Sequence, residues 1–301
     1  MLSILIPIYN NKIVRLVDDL ITQCAKAKIS FEIICLDDKS KEEYRQANRV
    51  VNERLGVNYV ELSENLGRAK IRNRLAMLAR YEWVLLLDAD VKPKSKKFIK
   101  SYVESISAEL DAIAGGIVYS KKPPKPKNKQ LHWKYGSKRE ARSENHRNKH
   151  PERYFMTANL CIKRDTLINY PFDETLEKYG YEDILMGTTL KENGHVIIHI
   201  DNPIVHKGIK KSVDFISGQK QAVTNLAHLY FDGRISNTRL IDFYERLKSL
   251  GIKSFVTGWV ASQIKSIEQG FFDGDNTSLI RLDLLKLYYF DISLKKLYNQ
   301  D

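Results

Sequence analysis

The sequence predicts an α/β fold: a mostly parallel central sheet with helices on both faces, followed by a helical C-terminal region. Three observations predict it. Short apolar runs alternate with segments of helical spacing, the runs are apolar at consecutive positions, and after residue 212 only helical spacing remains. Strands of a parallel sheet are buried on both faces and therefore read as continuous apolar runs. We expect an α/β domain over residues 1–210 and a helical region over 211–301.

The alternation can be followed along the chain. Strands are expected over 2–10, 31–40, 57–63 and 83–91, with helices between them over 12–28, 41–54 and 68–81. A helix at about 95–110, strands at 112–120 and 154–165, a helix at 179–194 and short strands at 195–200 and 203–208 complete the domain. Ligands of parallel sheets sit beyond the carboxyl ends of the strands. Three of these strands end there in polar residues.

Composition argues against several classes of protein. No stretch approaches the roughly 18 uninterrupted apolar residues of a membrane-spanning helix. The N-terminal apolar run is broken by Pro7 and lacks the basic residues of a secretion signal. Cys24, Cys35 and Cys161 form no C-x-x-C pair, which argues against a disulfide framework and a zinc site. These features favour a reducing, cytoplasmic location.

The positive charge is concentrated in one segment. The net charge of the chain is +12, and residues 121–153 alone carry 12 Lys and Arg against 3 Glu, which is +9. The segment begins KKPPKPKNKQ, a density of Lys and Pro that does not pack a core, so we expect an exposed flap or loop. Such a flap suits phosphate groups or an anionic membrane surface, unless it is only solvated.

Two aspartates end the apolar run WVLLLDADV. Asp88 and Asp90 could form a solvated turn, but they follow a buried strand at the ligand-binding edge of a parallel sheet. Two carboxylates this close repel each other unless a cation lies with them. Oxygen ligands favour Mg²⁺ or Mn²⁺, which take their other ligands from water and phosphates. A nucleotide diphosphate is the expected partner.

Cationic side chains would have to hold such a diphosphate. Neither G-x-x-x-x-G-K-[ST] nor a strand-following G-x-G-x-x-G is present, so P-loop and Rossmann dinucleotide sites are excluded. The stretch ENLGRAKIRNRLA supplies Arg68, Lys70, Arg72 and Arg74 just before the D-x-D strand. These residues either meet the phosphates or form a basic solvated helix face.

Five stretches, taken in order, resemble the GT-A fold glycosyltransferases of family 2. They are SILIPIYN, EIICLDDKS, ENLGRAKIRN, LLLDADV and GYEDILM. Each motif alone is a weak signal, but five in order with compatible spacing are specific. The resemblance covers residues 1 to about 208. It implies that residues 1–210 form a GT-A catalytic domain that uses a nucleotide sugar.

The resemblance also implies roles for particular residues. Those implied to hold the nucleotide sugar are Pro7, Tyr9, Asn10, Asp37, Asp38, Asn65, Gly67, Arg72, Asn73 and Asp88. Asp88 and Asp90 would bind Mn²⁺ or Mg²⁺, and His206 would complete the metal shell unless it is an ordinary strand histidine. Asp183 would be the catalytic base, with Glu182 beside it contacting the acceptor. The same acidic pair would also suit a helix N-terminus.

The sequence departs from the family in two places. Many members carry a further acid and an Arg in the helix after E-D, where this chain has Leu185 and Thr189. The Q-x-x-R-W element associated with processive, membrane-embedded synthases is absent from the sequence. Its absence favours transfer of a single sugar over polymerisation.

The leading hypothesis is therefore a metal-dependent, inverting, non-processive glycosyltransferase that uses a nucleotide-diphosphate sugar, UDP-linked by preference. Its acceptor would be a saccharide or a lipid-linked sugar in cell-surface polysaccharide or lipopolysaccharide synthesis, with the enzyme cytoplasmic or peripheral at the inner face of the membrane. One alternative is a nucleotidyltransferase, which also uses paired acids and metal. Another is a nucleic-acid-binding protein, with Trp133 and Tyr135 stacking on bases, but that function would leave the acidic strand ends unexplained.

Overall fold

The apolar runs become strands in the computed structural model, which describes residues 1–176 and 179–299. The strands are β1 (Leu2–Ile8), β2 (Phe31–Asp37), β3 (Val57–Glu61), β4 (Trp83–Leu87), β5 (Val91–Pro93), β6 (Ala112–Ala114), β7 (Ile117–Val118), β8 (Asn159–Lys163), β9 (Ile197–His199) and β10 (Ile204–His206). Seven of them form one sheet in the order β3-β2-β1-β4-β8-β6-β9, and the others form a small sheet in the order β5-β10-β7.

The helices lie in two compact units of the chain. The first unit comprises Met1–Tyr119, Ala141–Glu177 and Glu182–Gly208, and the second comprises Ser120–Glu140, Lys178–Tyr181 and Ile209–Asp301. Helices of the first unit are α1 (Val14–Ala27), α2 (Glu42–Asn48), α3 (Arg68–Leu78), α4 (Phe98–Ser105), α6 (Glu144–Arg147), α7 (Arg164–Asn169) and α8 (Glu182–Glu192). Helices of the second are α5 (Gln130–Tyr135), α9 (Ser212–Phe231), α10 (Arg239–Ser249), α11 (Lys253–Phe272) and α12 (Leu279–Tyr298).

The large sheet is mostly parallel, as predicted. β1 runs parallel to β2 and β4, and β2 runs parallel to β3. β8 is the exception, because it pairs antiparallel with both β4 and β6. The start of β8 consequently lies at the edge where β4 ends, with Leu87 opposite Asn159. This reversal places the residues before β8 beside the residues after β4.

Side-chain alternation along the strands builds a core on each face of this sheet. Ile4 and Ile6 of β1 pack with the helices α1 and α4, whereas Leu5 packs on the opposite face with α3, α7 and α8. Successive strand side chains point to opposite faces, so a strand that is apolar at every position needs cover on both. The prediction of helices on both faces is confirmed.

The second unit is helical and has its own apolar core. Leu131 of α5, Phe215 of α9, Val260 of α11 and Leu285 of α12 are among its buried members. Within residues 1–176 and 179–299, none of the helices combines the length and the apolar character that crossing a membrane would require.

The basic segment is not the uniformly exposed loop that its composition predicts. Lys121, Lys122 and Lys125 are exposed, but from Gln130 the chain is helical and Leu131 is fully buried in the second unit. The His132 ring stacks at 4.6 Å on a phenylalanine of α9. The expectation of an exposed flap over 121–153 is therefore wrong beyond about residue 129. The reason is that Leu131 and Tyr135, one helical turn apart, lie on one helix face and both pack in the core of the second unit.

The later part of the segment returns to the first unit. Arg147 is almost fully buried, and its Nε donates to His199 Nδ1 at 3.0 Å while Nη2 donates to the Ile200 carbonyl at 2.8 Å. A buried guanidinium keeps its charge only where acceptors replace water. Arg147 therefore fastens the end of the basic segment to β9. The expected boundary at residue 210 is close to Ile209, but the second unit also takes in residues 120–140.

Candidate active site

Polar residues gather at the carboxyl edge of the parallel strands. Tyr9 and Asn10 follow β1, Asp38 follows β2, and Asp88 follows β4. The three strands are adjacent and parallel, and Ile8 lies opposite the last residue of β2. The predicted strand-end residues thus share one edge.

Asp38 organises the loop that leads into α3. Its carboxylate accepts hydrogen bonds from the backbone N–H groups of Leu66 at 2.6 Å and Gly67 at 3.0 Å. The side chain of Asn65 donates to the Asp38 carbonyl at 2.9 Å. Gly67 has φ +79°, a left-handed conformation that favours glycine. The D-D-x-S and N-x-G motifs therefore form one connected turn at the end of β2.

Two of the predicted nucleotide-binding residues, Asp37 and Asn73, also hold loops together in the structure. Asp37 is fully buried, and its two carboxylate oxygens accept from the Ser40 N–H at 2.6 Å and the Tyr59 hydroxyl at 3.1 Å. Asn73 exchanges two hydrogen bonds of 2.9 Å with the backbone of Phe172. Both side chains hold loops at this edge of the sheet, and their contact with the nucleotide stays a prediction.

Two arginines one turn apart on α3 meet carboxylates at this edge. The Arg72 guanidinium, nearly buried, donates from Nη2 to Asp88 Oδ1 at 2.8 Å. The Arg68 Nε donates to Glu182 Oε1 at 2.6 Å. Residues at i and i+4 lie on the same helix face, so α3 presents two fixed positive charges to carboxylates from β4 and α8. Arg68 was only one of four candidate cations in the sequence, and its partner is 114 residues away.

Asp90 and His206 are brought together by the small sheet. β5, which follows Asp90, pairs antiparallel with β10, and His206 Nε2 lies 3.5 Å from Asp90 Oδ2. The Asp90 carbonyl accepts from the Lys207 N–H at 2.8 Å, and a Cβ at Gly208 would overlap the Asp90 carboxylate. A glycine is therefore needed beside Asp90.

The two aspartates of the D-x-D motif differ in their electrostatics. Removal from water raises the pKa of Asp90, and the neighbouring Asp88 charge raises it further, against the lowering effect of His206. Removal from water also opposes ionisation of Asp88, but Arg72, Arg68 and His206 outweigh it and hold that pKa below its usual range. Asp90 thus carries negative charge that its surroundings only partly neutralise.

The donor atoms at this edge fit a hard divalent cation. Two carboxylates and one imidazole supply oxygen and nitrogen ligands. Burial and the Asp88 charge disfavour the ionised form of Asp90, and a bound cation would stabilise that form. In the parts of the chain that are described, no three His, Cys, Asp or Glu side chains approach closely enough to hold a metal by themselves. An ion here would take further ligands from water or phosphate, which is the usual behaviour of Mg²⁺.

The acidic pair at the start of α8 consists of two carboxylates with opposite pKa shifts. Burial and the Glu182 charge raise the pKa of Asp183 to about 6. Burial also opposes ionisation of Glu182, but Arg68 and Arg72 outweigh it and lower the Glu182 pKa. Neighbouring acids whose pKa values are pushed apart are typical of acid–base sites. Asp183 is the acid of the pair whose pKa is raised towards neutral pH.

Thr157 is a site residue that the sequence did not indicate. Its hydroxyl donates to Asp183 Oδ1 at 2.7 Å, and its backbone N–H approaches Oδ2 at 3.3 Å. Thr157 lies just before β8, and the antiparallel direction of β8 brings it to this edge. No motif in the sequence contains this residue, so its part in the site depends on the strand reversal.

Comparisons with known proteins identify the class of protein to which this chain belongs. The fold is that of the GT-A glycosyltransferases, and the chain belongs to glycosyl transferase family 2, whose model matches residues 3–170. The match covers more than half of the chain. The family resemblance inferred from the five motifs is confirmed.

Two solved structures are similar over the whole chain. Mannosyltransferase PcManGT from Pyrobaculum calidifontis, in complex with GDP-Man and Mn²⁺, gives a TM-score of 0.62 with 17% identity, covering 100% of this chain and 88% of that one. S. aureus TarS 1–349, in complex with UDP, gives a TM-score of 0.54 with 16% identity, covering 100% and 92%. At these identities the likeness shows the fold.

A relative is also found among curated proteins. Chondroitin synthase from Escherichia coli is 25% identical over 223 residues, which is 64% of this chain and 32% of that protein. This chain spans about a third of the length of that relative.

Proposed function

We propose that this glycosyltransferase is metal-dependent and inverting, and that it moves a single sugar from a nucleotide-diphosphate sugar, UDP-linked, to a saccharide or lipid-linked acceptor. The observation that carries the proposal is the meeting of Asp88 and Asp90, two α3 arginines and the tuned acid Asp183 at one sheet edge. Solved structures of the same fold contain UDP, UDP-GlcNAc or GDP-Man, and the one with GDP-Man also contains Mn²⁺.

Asp88, Asp90 and His206 would hold the Mn²⁺ or Mg²⁺ ion, which supplies positive charge to the departing diphosphate. Arg68 and Arg72 of α3 are paired with Glu182 and Asp88, and Asp88 is one of the three residues that would hold the ion. Their guanidinium groups can donate to phosphate oxygens in the same planar way as to carboxylates. The turn built by Asp38, together with residues after β1, would hold the nucleoside.

Asp183 would accept the proton of the acceptor hydroxyl as that oxygen attacks the sugar. A base works best when its pKa lies near the working pH, and the Asp183 pKa of about 6 meets this condition. Thr157 fixes the carboxylate by donating to Oδ1. Glu182 remains charged beside it and holds Arg68 in place. Attack from the side of Asp183, opposite the leaving diphosphate, inverts the configuration at the sugar carbon.

Thr157→Val should move the pH profile of the reaction. The Thr157 hydroxyl lowers the Asp183 pKa, so its loss should raise that pKa and shift the acidic limb of kcat/KM upward from about 6 by roughly half to one pH unit. Thr157→Ser, which keeps the hydroxyl, should leave the limb in place. The measurement is kcat/KM against pH for the three proteins. An unchanged limb in Thr157→Val would show that this hydrogen bond does not tune the base.

The product of the reaction tests the proposed function itself. Incubation with UDP- and GDP-sugars and Mn²⁺, followed by ³¹P NMR, should show slow release of the nucleoside diphosphate even without acceptor. Incubation with a nucleoside triphosphate and a sugar phosphate should release no pyrophosphate. Pyrophosphate release would instead establish the nucleotidyltransferase alternative.

The cellular role belongs to the same proposal. We infer a part in cell-surface polysaccharide or lipopolysaccharide synthesis at the cytoplasmic face of the membrane. The similarity to a chondroitin synthase supports the role in polysaccharide synthesis. The exposed lysines Lys121, Lys122 and Lys125 suit the phosphates of a lipid-linked acceptor.

A further inference from the structure

The second unit carries an exposed apolar patch at the beginning of α11. Leu250 and Ile252 lie in the turn before the helix, and Phe255 and Trp259 lie in its first two turns. Phe255 is 78% exposed and Trp259 53%. Positions 252, 255 and 259 share one helix face, and these three side chains, together with Leu250 two residues before Ile252, are named here the α11 tip. Single exposed apolar residues are ordinary, but a cluster marks an interaction surface.

The α11 tip is surrounded by positive charge. Residues 246–267 contain four cations, Arg246, Lys248, Lys253 and Lys265, and no Asp or Glu. Lys253 is held by an aspartate of α12 at 3.1 Å, and the exposed Lys248 lies 3.8 Å from Glu245. Arg246 and Lys265 are also exposed. The opposite face of α11 is anchored in the core of the unit through Val260 and other apolar residues. The tip is thus a fixed, rigid helix end rather than a free segment.

We propose that the α11 tip docks the protein on the surface of an anionic lipid bilayer. Aromatic side chains on one face of a helix, with basic residues around them, are the features of a helix that lies in the headgroup region. Trp and Phe prefer that depth, and Lys and Arg are attracted to anionic headgroups. This surface lies outside the active-site residues, and the inference does not depend on the proposed function.

Charge favours a bilayer over a second copy of this chain. A two-fold interface brings the same patch of both copies together. The cations at 246, 248 and 265 would then face their own counterparts, and Glu245, the acid beside them, already lies 3.8 Å from Lys248. An anionic bilayer supplies the opposite charge to all three at once.

Flotation of the full chain with vesicles tests the proposal. The protein should float with vesicles of phosphatidylcholine and phosphatidylglycerol, and much less of it should float with vesicles of phosphatidylcholine alone. The double variant Phe255→Ser, Trp259→Ser should lose at least about tenfold in partitioning. Ile280→Ser, which changes an apolar residue 73% exposed on α12, is the matched control and should bind as the unchanged protein does. Thermal melts confirm that each variant folds.

Tryptophan fluorescence gives a second readout that needs no double variant. Trp83 is buried, and the Trp133 indole N–H donates to the Ser120 carbonyl at 2.7 Å. Any change in fluorescence when the protein docks on vesicles should therefore come mainly from Trp259. A blue shift with anionic vesicles, absent in Trp259→Phe, supports insertion of the tip.

Three results would overturn the inference. The first is wild-type flotation by the double variant. The second is loss of flotation when the five lysines between 121 and 129 are changed to Gln, with the tip variant unaffected. The third is a dimer of the unchanged protein that the tip variant dissociates while vesicle binding stays the same, which would make the tip a contact between copies.

Discussion

Asp183→Asn should lower kcat by roughly 10²–10⁴-fold while leaving donor binding nearly unchanged. The amide keeps the shape of the carboxylate and can still accept from the Thr157 hydroxyl, but it cannot take a proton. Neutralising this position also leaves Glu182 and its pair with Arg68 intact. The measurements are steady-state kinetics with a nucleotide sugar and calorimetric titration with UDP.

The pH profile distinguishes loss of the base from loss of structure. In the unchanged enzyme the rate should rise with pH through about 6, as Asp183 loses its proton. The residual rate of Asp183→Asn should lack that limb. If the variant keeps most of its rate and the limb, the base lies elsewhere, and Glu182 is the first residue to examine. Its low pKa and its pair with Arg68 make it the poorer base.

Asp90→Ala should abolish Mn²⁺-dependent binding of UDP, raising Kd by at least roughly 100-fold. Asp90 supplies a carboxylate whose negative charge is only partly balanced by His206. Its loss removes one of the three side chains that would hold the ion and leaves Asp88, which is paired with Arg72, as the remaining carboxylate. His206→Ala should have a milder effect on metal dependence. Calorimetric titration of UDP with and without Mn²⁺ measures both.

The metal-free stability of the same variant provides a control. Burial raises the pKa of Asp90, which means that folding disfavours its charged form at neutral pH. Removing this carboxylate should therefore leave the Tm of the metal-free protein unchanged or slightly higher. Asp165→Ala changes an aspartate that is 86% exposed on α7, and it should bind UDP and Mn²⁺ normally. Wild-type UDP affinity in Asp90→Ala with Mn²⁺ would contradict the metal assignment.

Strand ends explain how much of this site the sequence could predict. The carboxyl ends of parallel strands meet at one edge, so residues after β1, β2 and β4 could be placed together from the apolar runs alone. Asp88 and Asp90 follow from that geometry, whereas Asp183 follows from the resemblance to the family. Local features also predicted the helices on both faces, since strands apolar at every position require them.

Long-range pairing explains what could not be predicted. Nothing in the local sequence shows that β8 reverses direction, and that reversal brings Thr157 to the base. The inward orientation of Asp37 depends on the Tyr59 hydroxyl, and that of Asn73 depends on the backbone of residue 172. The helix at 130–135 has few apolar residues, and its burial depends on a core built by helices far along the chain.

The binding of a nucleoside diphosphate through a divalent cation can be tested most directly by thermal unfolding of the unchanged protein. Ligand at about 100 times its Kd should stabilise the folded state by about 2.7 kcal/mol. UDP together with Mn²⁺ should raise the Tm, whereas UDP with a chelator, Mn²⁺ alone and a single-stranded oligonucleotide should change it little. A rise with UDP that is equal with and without the chelator, or a rise with the oligonucleotide alone, would contradict a metal-bridged nucleotide-sugar site at the end of β4.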